Sequence, residues 1–251
     1  MKIHSNLAYK NSVLKLQALL SQFDQKGTLF AGGDRNTIKN FDFEGRIIAI
    51  KSFKIPNLVN KIAYRFFRKS KAQRSFEYAS KLLEMNVGTP RPIAYAEDDQ
   101  LLFNKSYYAC DLLNCDLTYR DLVDDPKYTG ETKILKAFTK FTFGLHEKGI
   151  HFLDHSPGNT LIVKEGQGFS FYLVDLNRME FNTMDYATRI KNFRRLTPKK
   201  EMVVIMATEY ARLAGYEVQK TIDDMWKYTE DFQQQFQRKK RLKKKLKFWK
   251  K

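Results

Sequence analysis

Cysteine is nearly absent. Two thiols, Cys110 and Cys115, in 251 residues are too few for a disulfide framework, and a C-x4-C spacing without a nearby histidine lacks a zinc ligand set. Both are expected to be reduced packing thiols. No 18 apolar residues occur in succession, and the opening Met1-Lys2-Ile3-His4-Ser5-Asn6 has no apolar run of signal-peptide length, so the chain is expected to be made and kept in the cytosol. Internal repeats and Pro/Gly/Ser-rich linkers are missing as well, which argues against repeat arrays. Negative charge is the scarce sign: 28 Asp and Glu stand against 45 Lys and Arg, a net charge of +17. That excess points to a polyanionic partner: nucleic acid, nucleotide phosphates or anionic lipid. Apolar residues are plentiful at 43%, with 14% aromatic, enough for one large or two small domains and enough to rule out wholesale disorder.

Texture changes along the chain. Strands are predicted over 28–30, 37–43 and 46–53, the last around the run Ile47-Ile48-Ala49-Ile50. Composition then favours helix over 58–85, broken near Ser70 and stopped by Gly88-Thr89-Pro90-Arg91-Pro92. Short strands are expected at 101–103 and 106–110. Helices follow at 118–123, 132–148, 199–214 and 222–236, with a strand-loop-strand insert at 150–176. The expected architecture is α+β and two-lobed: a sheet-rich lobe over 1–110, a helical lobe over 111–237 and a basic tail over 238–251. Small ligands bind in clefts between such lobes.

The insert carries the chemistry. The bare pattern D-x4-N occurs twice, at Asp99/Asn104 and Asp154/Asn159, and only context separates them. Asp154 follows a helix ending in Leu145-His146-Glu147-Lys148-Gly149-Ile150; Pro157-Gly158 makes a turn; an apolar strand follows Asn159, and a second apolar strand ends at Asp175. Phosphoryl transfer to a hydroxyl needs this set. One carboxylate takes the acceptor's proton, while an amide oxygen and another carboxylate hold Mg²⁺ against the triphosphate. Asp154 is the candidate base, and Asn159 and Asp175 are the candidate metal ligands. The rival reading is that Asp154 and Asn159 cap a turn and Asp175 ends a strand.

At this point the sequence resembles the protein-kinase-like superfamily. The H-R-D of the catalytic loop reads Phe152-Leu153-Asp154, with His151 one position early; D-F-G reads Asp175-Leu176-Asn177, and no A-P-E follows. These departures argue against a regulated protein kinase, while Pro157-Gly158-Asn159 looks like the small-molecule phosphotransferase branch. The resemblance implies that Ile48-Ala49-Ile50-Lys51 is the strand whose lysine reaches the nucleotide phosphates. Its partner acid is Glu77 or Glu84, and Glu77 is preferred because Arg74-Ser75-Phe76-Glu77-Tyr78-Ala79 stands ahead of Leu82-Leu83 as the pairing Glu does in the superfamily. The phosphate-covering loop falls at Gly32-Gly33-Asp34-Arg35-Asn36, without a G-x-G-x-x-G. Ile55-Pro56-Asn57, the basic run Tyr64-Arg65-Phe66-Phe67-Arg68-Lys69-Ser70-Lys71, Thr89-Pro90 with Pro92-Ile93-Ala94-Tyr95, and Val174-Asp175-Leu176-Asn177-Arg178 look like the bacterial lipopolysaccharide core kinases. Those enzymes phosphorylate Kdo or heptose of the inner core at the cytoplasmic face of the inner membrane. The resemblance implies an ATP- and Mg²⁺-dependent kinase acting on a lipid-linked anionic sugar.

The final stretch, 238–251, opens on Arg238, closes on Lys251 and holds ten Lys or Arg and no acid. As a helix it would align Leu242, Leu246 and Trp249 on one face, the pattern for lying on anionic lipid. A solvated tail and a nucleic-acid tail are its rivals. His146 is expected in the core; His151 and His155 are open between substrate contact and packing. Arg65, Arg68, Lys69 and Lys71 are candidates for the acceptor or the membrane. The acceptor itself stays open among Kdo, heptose, another small molecule and a protein. A catalytically silent kinase-like binding module is the rival of another class, and retention of Lys51, Asp154, Asn159 and Asp175 together argues against it.

Overall fold

A computed structural model describes residues 1–33, 36–125 and 128–248. The chain divides into two compact units, Met1–Asn114 with Leu173–Arg178, and Cys115–Tyr172 with Met179–Lys251.

Unit 1 is built on an antiparallel sheet. Its elements in order are β1 (Lys2–Ser5), α1 (Val13–Ser21), β2 (Thr28–Gly32), β3 (Asn36–Phe43), β4 (Arg46–Phe53), α2 (Leu58–Phe66), α3 (Lys71–Glu84), β5 (Pro92–Glu97) and β6 (Ser106–Asp111). The strand order is β1-β5-β6-β4-β3-β2. Ile48 and Ile50 of β4 point into a core shared with Leu16 and Leu20 of α1, Phe41 and Phe43 of β3, and Ile93 and Ala96 of β5. Alternation along β4 therefore turns Lys51 to the other face. Each fully buried side chain such as Leu16 stabilises the unit by about 1.5–3 kcal/mol.

Ser70 breaks the 58–85 helix as expected: its hydroxyl accepts from Gln73 N at 3.0 Å and caps α3. Asn57 caps α2 in the same way. Two differences from the expected elements stand out. No strand forms at 101–103; Leu101 is exposed, and Phe103 instead packs its ring against Tyr64. The strand lies at β5, where Pro-Ile-Ala-Tyr-Ala is buried throughout because β1 and β6 flank it and Tyr95 meets Phe76 of α3. A strand covered on both faces shows no alternation, and Pro92 at its first position is tolerated there. β1 and α1 were likewise not anticipated.

Unit 2 is mainly helical: β7 (Leu117–Thr118), α4 (Tyr119–Asp124), α5 (Glu131–Glu147), β8 (Ile150–Phe152), β9 (Thr160–Glu165), β10 (Gly168–Leu173), β11 (Met179–Phe181), α6 (Tyr186–Lys191), α7 (Lys200–Ala214) and α8 (Val218–Phe248). α5 buries Ile134, Leu135, Phe138, Thr142, Leu145 and His146, a 3.6-residue stripe. α7 answers with Met202, Val203, Met206 and Tyr210, and α8 adds Met225. The helix expected at 222–236 runs on without a break into the basic stretch, whose described side chains beyond Gln233 are exposed. Leu246, Lys247 and Phe248 have no described side chains, and Trp249 lies outside the described residues.

Both cysteines are free. Burial pushes the Cys110 thiol up to about 12, which leaves it inert as a nucleophile. Cys115 is exposed, so it is not the packing thiol expected.

Candidate active site

In unit 1, β4 is hydrogen-bonded between β3 and β6, with Lys51 opposite Ile38 and Tyr108. Its ammonium stem is therefore held rigidly, and the side chain is only 13% exposed. Nζ donates to Asp175 Oδ1 at 2.6 Å across 124 residues of sequence. Asp175 reaches it because its backbone takes a left-handed φ of 58°, a conformation that Asp adopts more readily than most residues. The segment around it is pinned to the Gly88-Thr89 turn: Leu173 N donates to Gly88 O at 2.9 Å, and the buried Thr89 hydroxyl donates to Leu173 O at 2.8 Å. Asn177 Nδ2 donates to the same Asp175 Oδ1 at 2.7 Å. Lys71 stands nearby; burial and Arg74 hold its ammonium below the ordinary lysine range, and Asp175 opposes them.

Glu77 is not the partner of Lys51. Its two oxygens take Lys69 Nζ at 3.0 and 2.8 Å, and Gln73 Nε2 lies 2.9 Å away. Gln73 sits one turn earlier on α3 and Lys69 just before its cap, so local groups take this carboxylate while the Asp175 turn supplies the one that meets Lys51. Glu84 is exposed. Gly32 ends β2 and Gly33 follows it, both with ordinary negative φ, and a Cβ at Gly33 would meet nothing within 4 Å. Asp34 and Arg35, the rest of the expected phosphate-covering loop, lie outside the described residues.

In unit 2, α5 ends at Glu147, and two residues on, Gly149 takes a φ of +68°, where a Cβ would lie 3.1 Å from Asn182 O. Only glycine suits both conditions. The chain then enters β8, paired with β11, and turns at Asp154. Asn159 Nδ2 donates to Asp154 O at 2.8 Å, and its Oδ1 has no hydrogen-bond donor among the described residues. Asn192 Nδ2 donates to Phe152 O at 2.9 Å, and Arg195 donates to Leu153 O at 3.3 Å. Arg195 also meets Asp154 Oδ1 at 2.6 Å. The loop is thus fixed from three sides, with the second Asp154 oxygen without a protein partner among the described residues.

Behind the loop, His146 joins Tyr210 OH at 2.7 Å and Asn192 Oδ1 at 3.2 Å. Burial pushes its pKa down to about 4, so it supports the loop as a neutral ring. His155 is fully buried, stacked on Phe138 with ring centroids 5.3 Å apart, and burial pushes it down to about 3. It belongs to the core, which closes the question of substrate contact for that residue. His151 pairs with Glu180 at 3.3 Å. Arg195, Asn192, Asn177 and Thr89 were missed as site residues; the adjacent basic pair Arg194-Arg195 was the one available signal for the first.

Asn159 and Asp175 offer hard oxygens of the kind Mg²⁺ takes, one carboxylate among them, as ions that also bind phosphate require. Asp175 belongs to unit 1 and Asn159 to unit 2; among the described residues no group of three or more His, Cys, Asp or Glu could hold a metal.

The chain shares its fold with a solved structure described as "WaaP in complex with acyl carrier protein": the TM-score is 0.64 at 12% identity, covering 95% of this chain and 99% of that one. The fold is protein-kinase-like and α+β, with an antiparallel-sheet unit and a helical unit. The sequence profile of the lipopolysaccharide kinase (Kdo/WaaP) family matches residues 55–227, about two thirds of the chain, and the protein belongs to that family. It is accordingly a phosphotransferase with an alcohol group of the lipopolysaccharide core as acceptor. A comparison with curated proteins gives no match. The matched span contains Glu77, Asp154, Asn159, Asp175 and Arg195; Gly32, Gly33 and Lys51 precede it, and residues 238–251 follow it.

Proposed function

We propose that the protein transfers the γ-phosphoryl group of ATP, with Mg²⁺, to a hydroxyl of Kdo in the lipid-linked inner core, working at the inner face of the cytoplasmic membrane. The observation that carries this reading is the state of Asp154: one oxygen is anchored by Arg195, the other is uncommitted, and the loop is fixed around it. Such a carboxylate suits a base that takes the proton of an attacking hydroxyl while the bond from the γ-phosphorus to the leaving ADP oxygen breaks. Lys51 and Lys71 are the cations for the triphosphate, with Gly32 and Gly33 leaving its backbone approach open. Asn159 and Asp175 would hold Mg²⁺, which when bound neutralises charge on the phosphate oxygens. Glu77 fits a supporting role, keeping Lys69 beside α3. The test is γ-phosphate transfer against a panel of inner-core acceptors carrying Kdo, heptose or both; transfer to heptose alone would remove Kdo as the substrate.

Two features support a membrane surface as partner. α2 buries none of its residues and exposes Leu58, Val59, Ile62 and Phe66, with Phe67 just beyond at 80% exposure. Lys61 and Arg65 flank that face, the arrangement of an interfacial helix on anionic lipid. The basic stretch that ends α8 is the second feature, and each of its charges near such a surface adds about 1 kcal/mol. Among the described residues no helix is long and apolar enough to cross a membrane. Deleting 238–251 should abolish co-sedimentation with anionic vesicles and spare transfer to a delipidated acceptor. Unchanged vesicle binding would remove the tail from this role.

A further inference from the structure

Unit 2 has a cavity of about 230 Å³ whose lining includes His151, Leu153, Thr188, Lys191, Arg194 and Arg195. Its charge is one-sided. Arg195 is matched by Asp154 and His151 by Glu180, but neither Lys191 nor Arg194 has a carboxylate within ion-pair distance among the described residues. Lys191 is held from behind by the Tyr228 ring, 5.9 Å from its ammonium, and Arg195 by Phe232 at 5.7 Å. Two aromatic rings of α8 thus hold Arg195 and Lys191, and of these Lys191 has no carboxylate to neutralise it among the described residues. Burial and the neighbouring Arg195 lower the Arg194 pKa, as expected where guanidinium groups crowd without a counter-ion.

The cavity is smaller than the roughly 300–1,000 Å³ that encloses a drug-sized ligand, so it suits a charged group and not a nucleotide. The cations read as nucleotide-binding, Lys51 and Lys71, belong to unit 1. Here the nearest reactive group is the candidate base: Leu153 lines the cavity and precedes Asp154, and Arg195 touches both.

We propose that this cavity is an oxyanion subsite, in which Lys191, Arg194 and Arg195 hold a carboxylate or phosphate substituent of the acceptor sugar and so set its hydroxyl beside Asp154. Assignment to the acceptor rests on the kinase reading above; oxyanion binding does not. Planar guanidinium groups grip either anion through paired hydrogen bonds.

The test uses the full chain without nucleotide and follows its imidazole resonances, since there are only four histidines. Titration with inorganic phosphate should shift His151 saturably and leave the core rings of His146 and His155 unmoved. The double variant Lys191→Gln/Arg194→Gln should weaken that binding at least 10-fold while its core histidine signals show an intact fold. No saturable shift, or the same midpoint in the double variant, overturns the subsite. Free Kdo compared with its methyl ester separates the sources: a shift with the acid alone supports a carboxylate occupant, and a shift with phosphate alone supports a phosphate substituent. In transfer assays Lys191→Gln should raise the acceptor KM about 10-fold with a smaller change in kcat. If no acceptor is phosphorylated yet phosphate still moves His151, the kinase reading fails and the subsite stands. An unaltered KM with phosphate binding intact overturns the assignment to the acceptor.

Discussion

Each unit holds one of the two candidate site aspartates in an ion pair of the same 2.6 Å length, Lys51–Asp175 in unit 1 and Arg195–Asp154 in unit 2. The settings differ. In unit 1 the cation is the fixed partner: Lys51 rides a strand paired on both sides, and the aspartate comes to it on a left-handed turn. In unit 2 the aspartate's loop is fixed, by Asn159, Asn192 and the β8–β11 pair, and the cation comes from a one-turn 3-10 helix, Asn192–Arg195. A rigid cation suits a site that receives phosphates, and a rigid carboxylate suits one that must meet a single proton. On the function proposed above, the two pairs divide binding from chemistry.

That division breaks if variants on the two sides behave alike. The largest effect is expected from Asp154→Asn, which should lower kcat on the order of 10²-fold or more while MgATP affinity holds. Asp99→Asn, at the other D-x4-N, should be silent, since Asp99 is exposed and Asn104 bonds only weakly to Gln100 at 3.5 Å. Next, Asp175→Ala should act on binding instead. Calorimetry should show at least the roughly 10- to 100-fold loss in MgATP affinity that even removal of a support behind a metal ligand costs. Wild-type affinity would remove Asp175 from the metal site. Arg195→Gln should be milder, about 10-fold in kcat, because the ion pair to Asp154, about 1.5–3 kcal/mol, and the long bond to Leu153 O are lost while Asn159 and Asn192 still hold the loop. Loss as deep as Asp154→Asn would show that the arginine and not the loop positions the carboxylate.

The smallest effect is on stability and separates the two cores. Unit 2 buries His146 and His155, whose pKa values burial pushes from 6.5 to about 4 and about 3; unit 1 has no buried histidine among the described residues. The unfolded chain binds protons that these folded rings refuse, so stability is full above pH 6.5. It is lost as pH falls toward 4, by up to about 1.4 kcal/mol per pH unit for each ring. Urea midpoints at pH 7 and 4.5 should show this slope, and His155→Phe should reduce it at little cost, since Nδ1 of His155 already lacks a partner. A slope unchanged by that substitution would place the acid sensitivity elsewhere.

Legibility follows the same division. The strand that carries Lys51 was readable because it holds a continuous apolar run, Ile47-Ile48-Ala49-Ile50, and the turn at Asp154 because its residues are contiguous. The break at Ser70 was readable because an N-cap is a local device. Arg195 was not, because a helix of four residues has no periodicity and forms only where Phe193 is buried. Glu77 misled for a related reason: helical spacing fixes the face of α3 but not which cation reaches it first. β5 stayed hidden because burial on both faces erases the period of two.

α8 has a consequence of its own. At about 1.5 Å per residue its 31 residues extend roughly 46 Å, and past Gln233 the described side chains have no core to lean on. There Lys239 faces Lys243 and Arg241 faces Lys245 at i, i+4, each like-charged pair opposing the helix by about 0.2–0.5 kcal/mol. Counter-ions relieve that repulsion, so added salt should raise the helicity of this end while screening its attraction to lipid. The terminal turns therefore behave as a polyelectrolyte spring, wound by either salt or a charged surface, and circular dichroism should register the winding even as vesicle binding falls.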